Sequence, residues 1–198
     1  MSSKKRILHM TISAMMLALA LLLPFVTGQI PQIGASLCPM HIPVLLCGFF
    51  CGPFWGTAIG FIAPFLRFMI FGMPPLIPSG VGMAFELATY GFMAGLLYQL
   101  LPKKRIYIYV SLILSMLAGR VVWGVVRVIL YGLGKSSFGW KIFIANGFTS
   151  AIPGIIAQII LVPAIVMAVY AGRYAKADHA DHNVDAQAVA QGKNQKST

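Results

Sequence analysis

The sequence predicts an all-α integral membrane protein, a compact bundle of six transmembrane helices with both termini in the cytoplasm. Three observations carry that prediction. First, 59% of the residues are hydrophobic and 10% charged, with mean hydropathy +0.84, whereas soluble domains carry about 25% charged residues. Second, the apolar residues fall into runs separated by Gly/Pro-rich or basic segments, and the 198 residues have room for about six spans of roughly 20 residues. Third, the net charge of +11 is grouped at Lys4-Lys5-Arg6, Lys103-Lys104-Arg105 and Arg173/Lys176. Each group flanks an apolar run, as cytoplasmic loops do. This distribution argues against a nucleic-acid surface, and no nucleic acid is expected as partner.

The first helix is expected over residues 7–26. Its basic start resembles a signal peptide, but the apolar run is long enough to span and no convincing small-x-small cleavage site follows, so it reads as a retained helix. Residues 28–39, rich in Gly, Pro and polar groups, read as a loop. A second helix over 41–51 ends at Gly52-Pro53 and is too short to cross the bilayer alone. A third, 54–71, contains Pro64 as an expected kink. Gly72-Met73-Pro74-Pro75-Leu76-Ile77-Pro78 forms a stiff non-helical link. The fourth, fifth and sixth helices are expected over 80–101, 107–131 and 146–174.

Six spans put both termini on one side, and the three basic groups then share that side, which makes it cytoplasmic. Residues 1–176 form one membrane domain on this reading. Residues 177–198 are polar, Ala/Gln/Asp-rich and without aromatics, the composition of a disordered cytoplasmic tail. His179 and His182 read as solvated tail residues. Cys38, Cys47 and Cys51 are an odd set with no disulfide framework. Cys47 and Cys51 share a helix face, but two thiols without further ligands make a poor metal site, so no metal or cofactor is expected.

Four charges lie inside the apolar part: Arg67, Glu86, Arg120 and Arg127. A charge in hydrocarbon is costly unless it is paired or faces a wet cavity, so such residues mark candidate sites. Three positives against one negative leave the region short of negative charge, and a small anion would supply it. At ~1.5 Å per residue, Arg67, Glu86 and Arg127 fall in the outer leaflet and Arg120 near the midplane. Arg120, Trp123 and Arg127 are spaced i, i+3, i+7 and share one helix face, read as the wall of a cavity that opens outward. A structural ion pair between Glu86 and one arginine is the plainer alternative. It leaves two arginines unexplained, because the remaining acids are Asp178, Asp181 and Asp185 in the tail.

The outer loops add further candidates. Gln29, Gln32 and Ser36 lie in the first, His41 opens the second helix, and Asn146, Thr149 and Ser150 open the sixth. Helix N-termini present free N–H groups suited to a carboxylate, although His41 beside Pro43 equally reads as an ordinary helix end. Phe138, Trp140 and Phe143 read as interfacial aromatics or as a lid. Gly132-Leu133-Gly134-Lys135-Ser136 lacks the glycine a nucleotide loop needs, since Ile129 stands there. There is no H-E-x-x-H, no G-x-S-x-G and no pair of intramembrane carboxylates. The chain is not expected to be an enzyme or to carry its own ATPase.

Ala14 and Ala18, four apart in the first helix, would let another helix backbone approach closely. Together with the stretch His41-Ile-Pro-Val-Leu-Leu-Cys-Gly48, then Gly52-Pro53, Gly56 and Gly60, they give a chain that resembles the S components, the substrate-binding subunits of energy-coupling factor (ECF) vitamin transporters. The resemblance covers about residues 7 to 175. It implies a prokaryotic plasma-membrane subunit with its pocket near the outer surface. It also implies docking through Ala14 and Ala18 onto a transmembrane scaffold subunit driven by two ATPase subunits. Toppling of the subunit in the bilayer would then deliver the substrate inward. Cys38-Pro-Met-His-Ile-Pro43, Gly72-Met-Pro-Pro75 and Glu86-Leu-Ala-Thr-Tyr-Gly91 are most similar to pantothenate-type members.

On the charge reading, Arg127 and Arg67 take the ligand carboxylate, and Glu86 accepts from a ligand hydroxyl or orients an arginine. Asn146 and His41 make neutral hydrogen bonds, Trp123 packs on the aliphatic part, and Arg120 forms the floor or pairs with Glu86. Nicotinate and biotin satisfy the same charge logic. Two other classes remain open at this stage: a self-sufficient proton-coupled transporter using Glu86, and a structural membrane protein without ligand.

Overall fold

The structure is a computed structural model and describes residues 3–26, 39–73, 75–102, 105–133 and 152–171. All regular structure among these residues is helical. The helices are α1 (Ser3–Val26), α2 (His41–Cys51), α3 (Pro53–Phe71), α4 (Val81–Leu100), α5 (Arg105–Leu133) and α6 (Ile152–Ala171). The chain divides into two units, residues 1–163 and 164–198; in the second, the described part is the end of α6. The expected tail, 177–198, lies outside the described residues, as do the outer-loop candidates Gln29, Gln32, Ser36, Phe138, Trp140, Phe143, Asn146, Thr149 and Ser150.

Five helices, all but α2, are long and apolar enough to cross a membrane. Their outer faces carry large bare hydrophobic side chains, among them Met15, Leu22, Phe54, Met69, Val121 and Ile160, which hydrocarbon would solvate. A helix satisfies its own backbone hydrogen bonds, as a segment in lipid must. The sixth span expected at α2 is not met by length, since α2 has 11 residues. Its surroundings account for this. His41, Pro43, Val44, Leu45, Leu46, Cys47, Gly48, Phe49 and Cys51 are all buried, so α2, apolar apart from His41, is packed against protein, as such a helix should be.

α1 starts at Ser3, four residues before the apolar run, so Lys4-Lys5-Arg6 form its first turn. Basic side chains can reach the headgroup region while their backbone stays helical. Ser13 and Ala20 on α1 are buried, whereas Ala14, Met15, Ala18 and Leu19 are exposed. The inner face meets α2 through sulfur: Ser13 Oγ lies 3.4 Å from Cys47 Sγ, and Cys51 Sγ donates to the His9 carbonyl at 3.6 Å.

The break between α2 and α3 is a backbone event. Gly52 adopts φ 92° while its N–H returns to the Gly48 carbonyl at 3.0 Å, and Pro53 opens α3, where its missing N–H costs nothing. α3 continues through the buried Pro64 as a single helix. It stops at Gly72, whose φ of 70° closes a left-handed cap with N–H to the Phe68 carbonyl at 2.8 Å. The proline-rich link expected at 72–78 becomes one wide turn, Leu76–Gly80, with extended Ile77 inside it and the Gly80 N–H on the Pro75 carbonyl at 2.9 Å.

α4 packs on α2, α3 and α5, and glycine makes that possible. A Cβ at Gly91 would strike the Gly56 backbone, one at Gly48 would stand 2.6 Å from the Gly91 carbonyl, and one at Gly95 would stand 2.5 Å from Pro53 N. At these glycines backbone lies against backbone, the close approach that small residues give in membranes.

Candidate functional site

The site sits where α4 faces α5. Glu86, 1% exposed, projects from α4, and its Oε1 receives Arg120 Nη1 of α5 at 2.9 Å and the Tyr90 hydroxyl at 3.0 Å. His41 Nε2, from the first residue of α2, stands 3.6 Å from the same oxygen. The His41 ring leans on the Tyr90 ring, with centroids 5.3 Å apart. One carboxylate therefore gathers side chains from three helices. Gly119 sets the closeness of α5: a Cβ there would run into the Tyr90 ring, so its absence lets the next residue, Arg120, reach Glu86.

One turn toward the N-terminus of α4 is Gly82, and opposite it lie Trp123 and Arg127. A Cβ at Gly82 would meet Arg127 Nε at 3.5 Å and Trp123 Nε1 at 3.6 Å. The Arg127 guanidinium lies over the Trp123 ring, 4.8 Å from its centroid, and 5.9 Å from that of Tyr131. Its hydrogen bonds are long and to neutral hydroxyls: Nη2 to Ser79 Oγ at 3.3 Å and Nη1 to Tyr131 Oη at 3.4 Å. A guanidinium held by π-faces and hydroxyls is positioned but, among the described residues, not neutralised.

The expected shared face of Arg120, Trp123 and Arg127 is present, with Arg120 and Trp123 buried and Arg127 partly buried. Of the two roles open to Arg120, the geometry shows the pairing with Glu86. His41 joins that pair. Arg67 has a different neighbourhood: its Nε donates to the Met73 carbonyl at 3.2 Å, just past the end of its own helix. Four participants were not singled out in the sequence: Tyr90, Gly119, Ser79 and Tyr131. Tyr90 and Tyr131 had a signal, since each stands four residues after the charge it touches. Gly119 and Ser79 had none, because their roles depend on how elements dock.

These features define a multi-pass helical membrane protein in which Glu86, Arg120 and Arg127 lie along the facing sides of two helices. A family model described as ECF transporter, substrate-specific component, matches residues 8–169, and the chain belongs to that family. It is thus a membrane subunit that recognises a small-molecule substrate and works with an ECF module, rather than an enzyme. No curated protein and no solved structure matches the chain.

Proposed function

We propose that this substrate-specific component binds a small carboxylate vitamin, pantothenate first among the candidates, at Arg127 from the outer side of the membrane. One observation carries the reading. Arg127 is a partly buried guanidinium stacked on Trp123, while the sole intramembrane carboxylate, Glu86, is engaged by Arg120. The charge Arg127 lacks is one a ligand supplies. Trp123 would then pack against the ligand's aliphatic part, and Asn146 and Arg67 would add polar contacts from the outer rim. Family membership favours this over a self-sufficient proton-coupled transporter. The topology proposed with it has six membrane segments, α2 included, with both termini cytoplasmic.

Thermal stability of the purified chain across a panel of water-soluble vitamins tests the proposal. A ligand at a thousandfold excess over its Kd stabilises the folded state by about 4 kcal/mol. One carboxylate vitamin is expected to give that shift. Its absence with every carboxylate, or a shift with a cationic vitamin alone, counts against the reading.

Docking is proposed to use the exposed Ala14/Ala18 edge of α1, which faces away from the Ser13–Cys47 contact. Ala14→Trp with Ala18→Trp is expected to leave vitamin binding to the isolated subunit within about twofold. Uptake by the complete transporter should fall at least about tenfold, since bulk at a small-residue contact keeps helices apart. Unchanged uptake places docking on another face.

A further inference from the structure

His41 is 2% exposed, and among the described residues neither of its ring nitrogens has a hydrogen-bond partner. Of the two, Nε2 faces Glu86 Oε1 at 3.6 Å. A carboxylate beside one imidazole nitrogen favours the tautomer with the proton on that nitrogen. Nδ1 is left with a bare lone pair, an acceptor buried without a donor. Such a group costs stability in every protein that keeps it, and those that persist call for an explanation. Here Nδ1 belongs to a residue fixed from two sides, by Glu86 and by the Tyr90 ring.

Resting on the carboxylate reading of Arg127, we infer that His41 Nδ1 is the acceptor for a hydrogen-bond donor on the substrate. The substrate is therefore a carboxylate that also carries a hydroxyl or amide N–H at a set distance. The helix register gives its component along the helix axes. His41 stands at the level of Glu86 and Arg120, whereas Arg127 stands at the level of Gly82. The rise from residue 82 to 86 on α4 is about 6 Å, and that from 120 to 127 on α5 about 10 Å. Measured along the helix axes, the donor's level and that of the carboxylate thus differ by about 6–10 Å. This separates candidates that charge alone cannot. Pantothenate, with an amide and two hydroxyls beyond its carboxylate, meets the requirement. Nicotinate, whose ring nitrogen only accepts, does not.

The experiment is a ligand–protein cycle read by calorimetric Kd on the detergent-purified chain. The probes are pantothenate and pantothenate methylated on its amide and both hydroxyls, which keeps the carboxylate and removes every donor. Wild type is expected to prefer the donor-bearing probe by about tenfold to a hundredfold, the range for one unpaired buried partner. His41→Phe keeps an aromatic ring beside Tyr90 and removes Nδ1, and the preference should collapse to within about threefold. His41→Asn, whose side-chain oxygen can stand near the Nδ1 position, should restore part of it, and His41→Leu replaces the Phe variant if that folds poorly. A preference unchanged in the variant without an acceptor overturns the His41 assignment while leaving the carboxylate reading intact. Failure of wild type to bind either probe removes pantothenate. A thermal shift from nicotinate instead, which carries no donor, overturns this inference while keeping the carboxylate reading. No shift with any carboxylate overturns both.

Discussion

Gly91→Ala is expected to destabilise the folded protein by about 3 kcal/mol, the upper end of the range for overpacked cores. The added methyl would strike the Gly56 carbonyl group and Cα, which are backbone atoms of a neighbouring helix with no rotamer to yield. Separation of α3 from α4 is the only relief. The sign is informative, because alanine is the better helix former by about 1 kcal/mol and intrinsic propensity alone would raise stability. Gly82→Ala on the same helix is the control. Its methyl would meet Arg127 and Trp123 only at 3.5–3.6 Å, ordinary contact, so melting should hold or rise. Melting temperature and folded yield of the two variants, compared in one detergent, check the prediction. Equal behaviour would contradict the backbone-to-backbone packing of α3 on α4.

Glu86→Ala is expected to cost about 3–5 kcal/mol, the penalty for stripping one partner from a buried ion pair. Arg120 loses the carboxylate at 2.9 Å and the Tyr90 hydroxyl loses its acceptor at 3.0 Å. No other acid is within the membrane part to replace Glu86, since the others stand at 178, 181 and 185. The double variant Glu86→Leu/Arg120→Leu should recover most of the loss, because a buried pair replaced by apolar residues is often neutral. Thermal melts of the single and double variants give the coupling directly. A single variant as stable as wild type would mean that Glu86 does not hold these helices.

Much of this fold was legible because its punctuation is chemical. Gly52 with its φ of 92° ends one helix and Pro53 suits the first position of the next, so the limits of α2 and the start of α3 were readable to within a residue. The ends of α1 and α5 were not, since hydropathy stops at the first lysine or arginine while the backbone does not: α1 extends to Ser3 and α5 begins at Arg105. Within the site, the Arg120/Trp123/Arg127 face follows from helical periodicity alone. That Glu86 should choose Arg120 could be offered only as one possibility among three arginines. The choice depends on the docking of α5, which the small Gly119 against the Tyr90 ring permits. The glycines of α2, α3 and α4 were visible as a pattern, yet which meets which is a three-dimensional fact that spacing along one chain does not contain.

The central claim is that Arg127 takes the charge of an anionic substrate, and the most direct measurement is vitamin-induced thermal stabilisation of wild type against Arg127→Ala. Arg127 is partly buried and, among the described residues, hydrogen-bonded only to hydroxyls at 3.3–3.4 Å, so its loss should leave the unliganded melting point within a few degrees of wild type. Pantothenate at saturating concentration should raise the wild-type melting point and leave that of the variant unmoved. An equal rise in both would place the anion elsewhere and contradict the assignment of Arg127.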